Sequence, residues 1–426
     1  MKRMFSLLLA VLMASAMIGC TAVPGTSVPD NTEEVQNTMP VACLNEKGQI
    51  VPLSMHFSDE NKIQTATYDP RYTVANNDFA ITMINSMDDN ATEIFSPLSL
   101  QIALQILANG GDEATANVLL EEICPGMSME AVNESSSNLI AAFLRSNGVN
   151  ISNAVIADKN SRLCEKFANI AADSYRASVG ALDFSDPVAA LNEINGWVRE
   201  NTDGLIDRLL DELGTDTSIV ILNALTLKLN WAEPFTAMRE LTEFHGTNGK
   251  LQSIGMMNIV TELQYGSFDQ GEMAIVPYEG GEYAMAVILP ASGVSAKDAA
   301  ASLLGRADEC STKMVGLKMP KIDIDSKFDI LAMADKLNIE EGVSGCFPRL
   351  VADGAISVTQ IVQGAMLSVT ETGTTAAAAT AIVGRKSLSP SRGEVEMLCD
   401  RPYAMVIYHV ETGAVLFVSL VNNVVD

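Results

Sequence analysis

The apolar pattern of this chain changes period once, after residue 200, and that change excludes most folds. Upstream, apolar residues recur at helical spacing through 72–87, 98–109, 112–123, 128–144, 160–176 and 187–200. The second of these opens with Ser96-Pro97, a capping hydroxyl followed by proline at the first helical position. Downstream the pattern turns to alternation or to unbroken apolar runs. Residues 218–229 (SIVILNALTLKL) read as a strand buried on both faces. Further strands are expected at 273–277, 282–289 and 315–324, a helix at 328–337 and a long extended stretch at 356–370. Segments 403–408 and 414–422 form a hairpin about Glu411-Thr412-Gly413, with glycine in the left-handed position. Helices first and strands later, with no steady βαβ alternation, predict an α+β domain instead of a doubly wound one.

One segment belongs to neither class. Residues 371–383 read ETGTTAAAATAIV, between a β-like run at 365–370 and a polar stretch at 384–396. Side chains this small cannot anchor a core, and none after Glu371 is an acid or a base. Such a strip suits a segment that slides between other elements.

Acidic residues outnumber basic ones, 53 to 27, for a net charge of −26. That argues against nucleic acid or an anionic lipid surface as partner, since both reward lysine and arginine. The amino terminus reads as a targeting segment: Lys2 and Arg3, then an apolar core at 5–18 too short to span a bilayer. It ends in Gly19-Cys20, which resembles a bacterial lipoprotein processing site and implies lipid on Cys20; ordinary secretion is the alternative. The expected division is 1–19 signal peptide, 20–70 tether and lead-in rich in Pro, Thr, Asn and Ser, and 71–426 folded domain. Six cysteines remain (Cys43, Cys124, Cys164, Cys310, Cys346, Cys399), with no CxxC pair, and free thiols are favoured over a disulfide scaffold.

Enzymatic chemistry finds little support. The histidines are His56, His245 and His409, and HExxH, GxSxG, P-loop and GxGxxG patterns are all absent. No metal or cofactor is expected.

Five separated segments then carry a family resemblance. Phe95-Ser96-Pro97-Leu98-Ser99 resembles the serpin "FSPxS" motif. Asn223-Ala224 through Trp231-Ala232-Glu233-Pro234-Phe235 is similar to "NAxxFKGxWxxPF". Met319-Pro320-Lys321-Ile322 is similar to "LPKF". The run from Glu371 to Ala379 resembles the hinge "EExGTEAAAAT", with Thr375 where glutamate is usual. Asp400-Arg401-Pro402-Tyr403 through Leu416-Phe417 resembles the carboxy-terminal signature. The matches keep a fixed order from 72 to 425.

The resemblance implies a serpin fold, about nine helices around three β-sheets with an exposed reactive-centre loop near 371–396. It implies a monomeric suicide inhibitor of a serine protease, or of a papain-like one, that is not itself an enzyme. A protease cuts the loop and forms an acyl-enzyme, and the cut loop enters a β-sheet as a new strand. The alternative is a non-inhibitory binding protein of the same fold. The hinge would be Glu371, Gly373, Thr374, Thr375, Ala376, Ala377, Ala378, Ala379 and Thr380. Thr374 leads the set that turns to one face, and no proline interrupts 371–389. The family's usual spacing, counted from Glu371, places the bait bond at Ser387–Leu388, with Arg385, Lys386 and Ser389 as neighbouring candidates. Ser96, Ser99, Asn223 and Gln363 would form a polar latch under the sheet, with Gln363 where histidine is usual. Trp231 would mark the breach where the loop enters. The implied location is a bacterial cell envelope, with the membrane reached only through lipid on Cys20.

Overall fold

Upstream of 200 most apolar stripes form helices introduced by a side-chain cap, helix Glu165–Tyr175 being the exception. Ser96 accepts from the Ser99 amide ahead of helix Pro97–Gly110, Asp112 from Thr115 ahead of Glu113–Ile123, and Ser128 from Ala131 ahead of Met129–Arg145. The computed structural model describes residues 42–44, 50–52, 69–146, 148–213, 217–352, 358, 360–375 and 392–424. All of them fall in the unit Met39–Asp426. Among the described residues there are eight α-helices and one short 3₁₀-helix on three sheets. The α+β expectation holds.

The central sheet runs Ala177–Leu182, Val149–Asp158, Ile219–Leu227, Gln360–Val369 and Ile322–Asp329 in space. Every residue of Ile219–Leu227 is buried, as its unbroken apolar run requires. Helix Pro97–Gly110 packs on one face. On the other, Val220, Leu222, Ala224 and Val362 pack with Ile194 and Val198 of helix Pro187–Asn201.

The largest sheet runs Val395–Leu398, Ser311–Pro320, Leu251–Phe268, Gly271–Pro277, Tyr283–Pro290, Tyr403–His409, Val415–Val421 and Glu93–Phe95, with Thr236–His245 also on Leu251–Phe268. A small sheet joins Ile50–Pro52, Ala42–Leu44 and Leu163–Cys164.

Three expectations need correction. Residues 328–337 are not a helix: Phe328 and Asp329 end a strand opposite Gln363 and Val362, and turns follow. The strand expected at 315–324 is two strands in different sheets, parted at Pro320-Lys321. The helix expected from 160 begins at Glu165, because Leu163–Cys164 joins the small sheet. Among the described residues Cys124, Cys310, Cys346 and Cys399 are free thiols; Cys124 and Cys399 are buried, Cys346 is exposed.

Candidate functional site

Strands Ile219–Leu227 and Gln360–Val369 run parallel and in register from Val220–Gln360 to Leu225–Ala365. Above that level they part. The gap is filled by the start of the small-residue strip. Gly373–Thr375 runs antiparallel to both walls: Gly373 faces Asn230, Thr374 faces Leu229 and Val369, and Thr375 faces Ser368. Glycine is required there, since a Cβ on Gly373 would stand 2.2 Å from the Leu229 carbonyl oxygen.

Thr374 is fully buried, and its hydroxyl lies 2.7 Å from the Tyr278 hydroxyl. Burial pushes the Tyr278 phenol well above its ordinary pKa, so this is a neutral pair. Tyr278 stacks on Trp231 at 4.5 Å between ring centroids. The Trp231 indole donates to the Thr370 carbonyl at 2.8 Å, and its amide donates to the Thr372 carbonyl at 3.0 Å. Phe235 donates its amide to the Glu371 carbonyl, and the Glu371 carboxylate is 3.1 Å from Lys321 Nζ. Residues 370–372 are therefore held through their carbonyls by one short segment, two by its backbone amides and one by the Trp231 indole.

Lower on the same seam, Gln363 and Asn223 are cross-strand neighbours, both fully buried. They do not bond to each other. Gln363 Nε2 donates to the Ser96 carbonyl at 2.6 Å and its Oε1 accepts from the Ser96 amide at 3.4 Å. Asn223 instead donates to Asn153 Oδ1 at 2.6 Å, and Asn153 donates to the Tyr175 carbonyl. The Ser99 hydroxyl and Asn223 Oδ1 are buried without a partner. The four expected latch residues thus cluster, but strand is tied to helix cap instead of strand to strand. Two of their polar atoms are left unpaired, which is costly in a place this dry.

Tyr278, Asn153 and Thr370 carry no mark in the sequence that singles them out; their role follows from register alone. Lys321 lies in the Met319-Pro320-Lys321-Ile322 motif, but nothing in the sequence pairs it with Glu371. Ala376, Ala377, Ala378, Ala379, Thr380, Arg385, Lys386, Ser387, Leu388 and Ser389 lie outside the described residues, as does Cys20.

The family model "Serpin (serine protease inhibitor)" matches residues 74–424. Serpin A3-7 of Bos taurus is 26% identical over 368 residues, covering 82% of this chain and 88% of that protein. Iripin-3 of Ixodes ricinus is 28% identical over 384 residues, covering 84% of this chain and 96% of that one. Among solved structures, the thermophilic serpin tengpin in its native state gives a TM-score of 0.75 at 20% identity, covering 91% of this chain and 100% of that one. Thyroxine-binding globulin in complex with thyroxine gives 0.73 at 23% identity, covering 83% and 99%. The chain belongs to the serpin family.

Proposed function

We propose that this protein is a suicide inhibitor of a serine protease that works by inserting its cut loop between strands Ile219–Leu227 and Gln360–Val369. What carries the reading is the hinge: Gly373 and Thr374 already occupy the first rungs of a strand between the two walls of the seam. The protease nucleophile would form an ester with the acyl carbon of Ser387 while the amine of Leu388 leaves. The freed segment would then continue down the seam.

The register supports this. Thr374 faces Val369 on one wall and Leu229 on the other. Continued without a bulge, both ladders bring the same residue, Thr380, level with Gln363 and with Asn223. Its hydroxyl would enter the polar gap that leaves the Ser99 hydroxyl and Asn223 Oδ1 unpaired. Residues 376–384 (AAAATAIVG) carry no charge, so the new strand would bury none before Arg385. About 15 inserted residues would span on the order of 50 Å, enough to carry a bound protease the length of the sheet.

Incubation with a panel of trypsin-, chymotrypsin-, subtilisin- and papain-like proteases is expected to give an SDS-stable complex with at least one. The cleaved protein is expected to melt well above the intact one. Clean cleavage throughout, with no complex and no gain in stability, would leave a serpin-fold binding protein instead, as with the thyroxine complex among the structural relatives.

We also propose, from the Lys2-Arg3 start, the short apolar core and Gly19-Cys20, that the protein is exported and held to a bacterial envelope by lipid on Cys20. A Cys20→Ala variant is expected to move from the membrane to the soluble fraction. Its retention with the membrane would end the lipid-anchor reading.

A further inference from the structure

We propose that His409 is a positioning residue for the hinge: its neutral ring props Tyr283, and through it Tyr278, the hydroxyl partner of Thr374, and a proton on the ring loosens that prop. The consequence for inhibition rests on the insertion reading above.

His409 ends strand Tyr403–His409 and faces Tyr283, its partner in register on the next strand. The two rings stand 5.3 Å apart between centroids, and Phe143 of helix Met129–Arg145 meets the imidazole edge to face at 5.5 Å. Only 8% of His409 is exposed. The turn that follows aims two donors at Nδ1: the Thr412 amide at 3.4 Å and the Thr412 hydroxyl at 2.9 Å. That hydroxyl accepts from the Ala414 amide, which leaves its own proton for the ring. Nδ1 is therefore an acceptor, and the site is built for neutral imidazole. An imidazolium would set an N–H against the Thr412 amide. The turn is held in place, since Asn77 donates to the Gly413 carbonyl and Asn76 Oδ1 accepts the Val415 amide. A charged ring is therefore accommodated on its other side, at Tyr283.

Tyr283 leads to the hinge by two short paths. Its carbonyl accepts the Tyr278 amide at 3.0 Å, and the Tyr278 hydroxyl lies on that of Thr374. Its own hydroxyl is bonded to Ser146, the residue that ends helix Met129–Arg145. Two residues on, the Gly148 carbonyl accepts the Lys228 amide at 2.7 Å, next to Leu229, the wall that faces Thr374.

Burial holds the imidazole below its ordinary pKa, against the pull of the Glu411 and Glu282 carboxylates, the charges that act on it. Burial also pushes the Tyr283 phenol up to about 12, so it stays neutral throughout. With the folded value depressed, the prop is intact above about pH 6.5 and is lost as pH falls through the folded value.

Trp231 stacks on Tyr278 and reports the far end of the path. In a Trp197→Phe background it is the remaining tryptophan. Its emission is expected to shift on acidification with the midpoint of the His409 ring proton resonances, assigned by their absence in His409→Asn. It is expected to stay flat in His409→Asn, which keeps an acceptor for Thr412 but does not titrate. Thr412→Val removes one donor to Nδ1 and is expected to raise both midpoints. Loss of the Tyr278–Thr374 bond should lower the ratio of SDS-stable complex to cleaved inhibitor about two- to tenfold in wild type relative to His409→Asn at the same acidic pH. A Trp231 signal that ignores His409 protonation, one that titrates alike in His409→Asn, or equal ratios at that pH would overturn the proposal. Should wild type form no complex with any protease at neutral pH, the insertion reading fails on its own, and the Trp231 titration still decides whether His409 props the hinge site.

Discussion

Replacing Thr374 with arginine is expected to turn the protein from inhibitor into substrate. Thr374 is fully buried between Leu229 and Val369 with its hydroxyl on Tyr278, and it is the first side chain the seam must accept. A guanidinium there would be buried without an anionic partner or would hold the hinge out of the gap. Burying an unpaired polar group costs about 1–3 kcal/mol or more. Insertion competes with hydrolysis of the acyl-enzyme, and a barrier raised by about 2 kcal/mol slows it roughly 30-fold. The acyl-enzyme would then turn over before the loop moves. The measurement is the ratio of SDS-stable complex to cleaved inhibitor, with cleavage rate as a control that the bait bond is still reached. An unchanged ratio would show that the seam does not receive Thr374 during inhibition.

The parts of this fold that could be read in the sequence are those where local chemistry and tertiary role coincide. Ser96-Pro97 marks a helix start in any context, and Ser96 does cap helix Pro97–Gly110. The unbroken apolar run around Asn223 names a strand buried on both faces. Residues 328–337 misled because Ile330, Ala334 and Leu337 are buried at helical spacing, although the chain there only turns. The alternation of Ile322, Ile324 and Phe328, buried at even spacing, was the competing signal, and cross-strand pairing with Gln360–Val369 decided it. Strands Val149–Asp158 and Ala177–Leu182 carry only short alternations, Val149/Ile151 and Ala177/Val179/Ala181, set among helical patterns. They form a parallel pair across helix Glu165–Tyr175, a relation visible only in three dimensions. The latch shows the same limit. Its residues were legible as a set, but no sequence argument assigns Gln363 to the Ser96 backbone and Asn223 to Asn153.

That assignment has a measurable consequence. Gln363→Ala is expected to lower the melting temperature of the intact protein and of the loop-cleaved protein by similar amounts. The substitution leaves the Ser96 amide without its side-chain partner in a fully buried place, while the Ser96 carbonyl keeps the Leu100 amide. An orphaned buried group costs about 1–3 kcal/mol. A domain of about 350 residues loses roughly 1–2 °C per kcal/mol, so a fall on the order of 1–6 °C is expected. The two forms should respond alike because Gln363 ties its strand to a helix cap beneath the sheet, not to Asn223 across the seam. Opening the seam to admit a strand need not break that tie. A true seam latch would behave differently: it would be lost on insertion, and its removal would destabilise only the intact form. A fall confined to the intact protein would therefore reassign Gln363 to the seam. Equal falls would leave closure of the seam to the backbone ladder between Val220–Leu225 and Gln360–Ala365, and to the cost of the polar gap that an entering hydroxyl relieves.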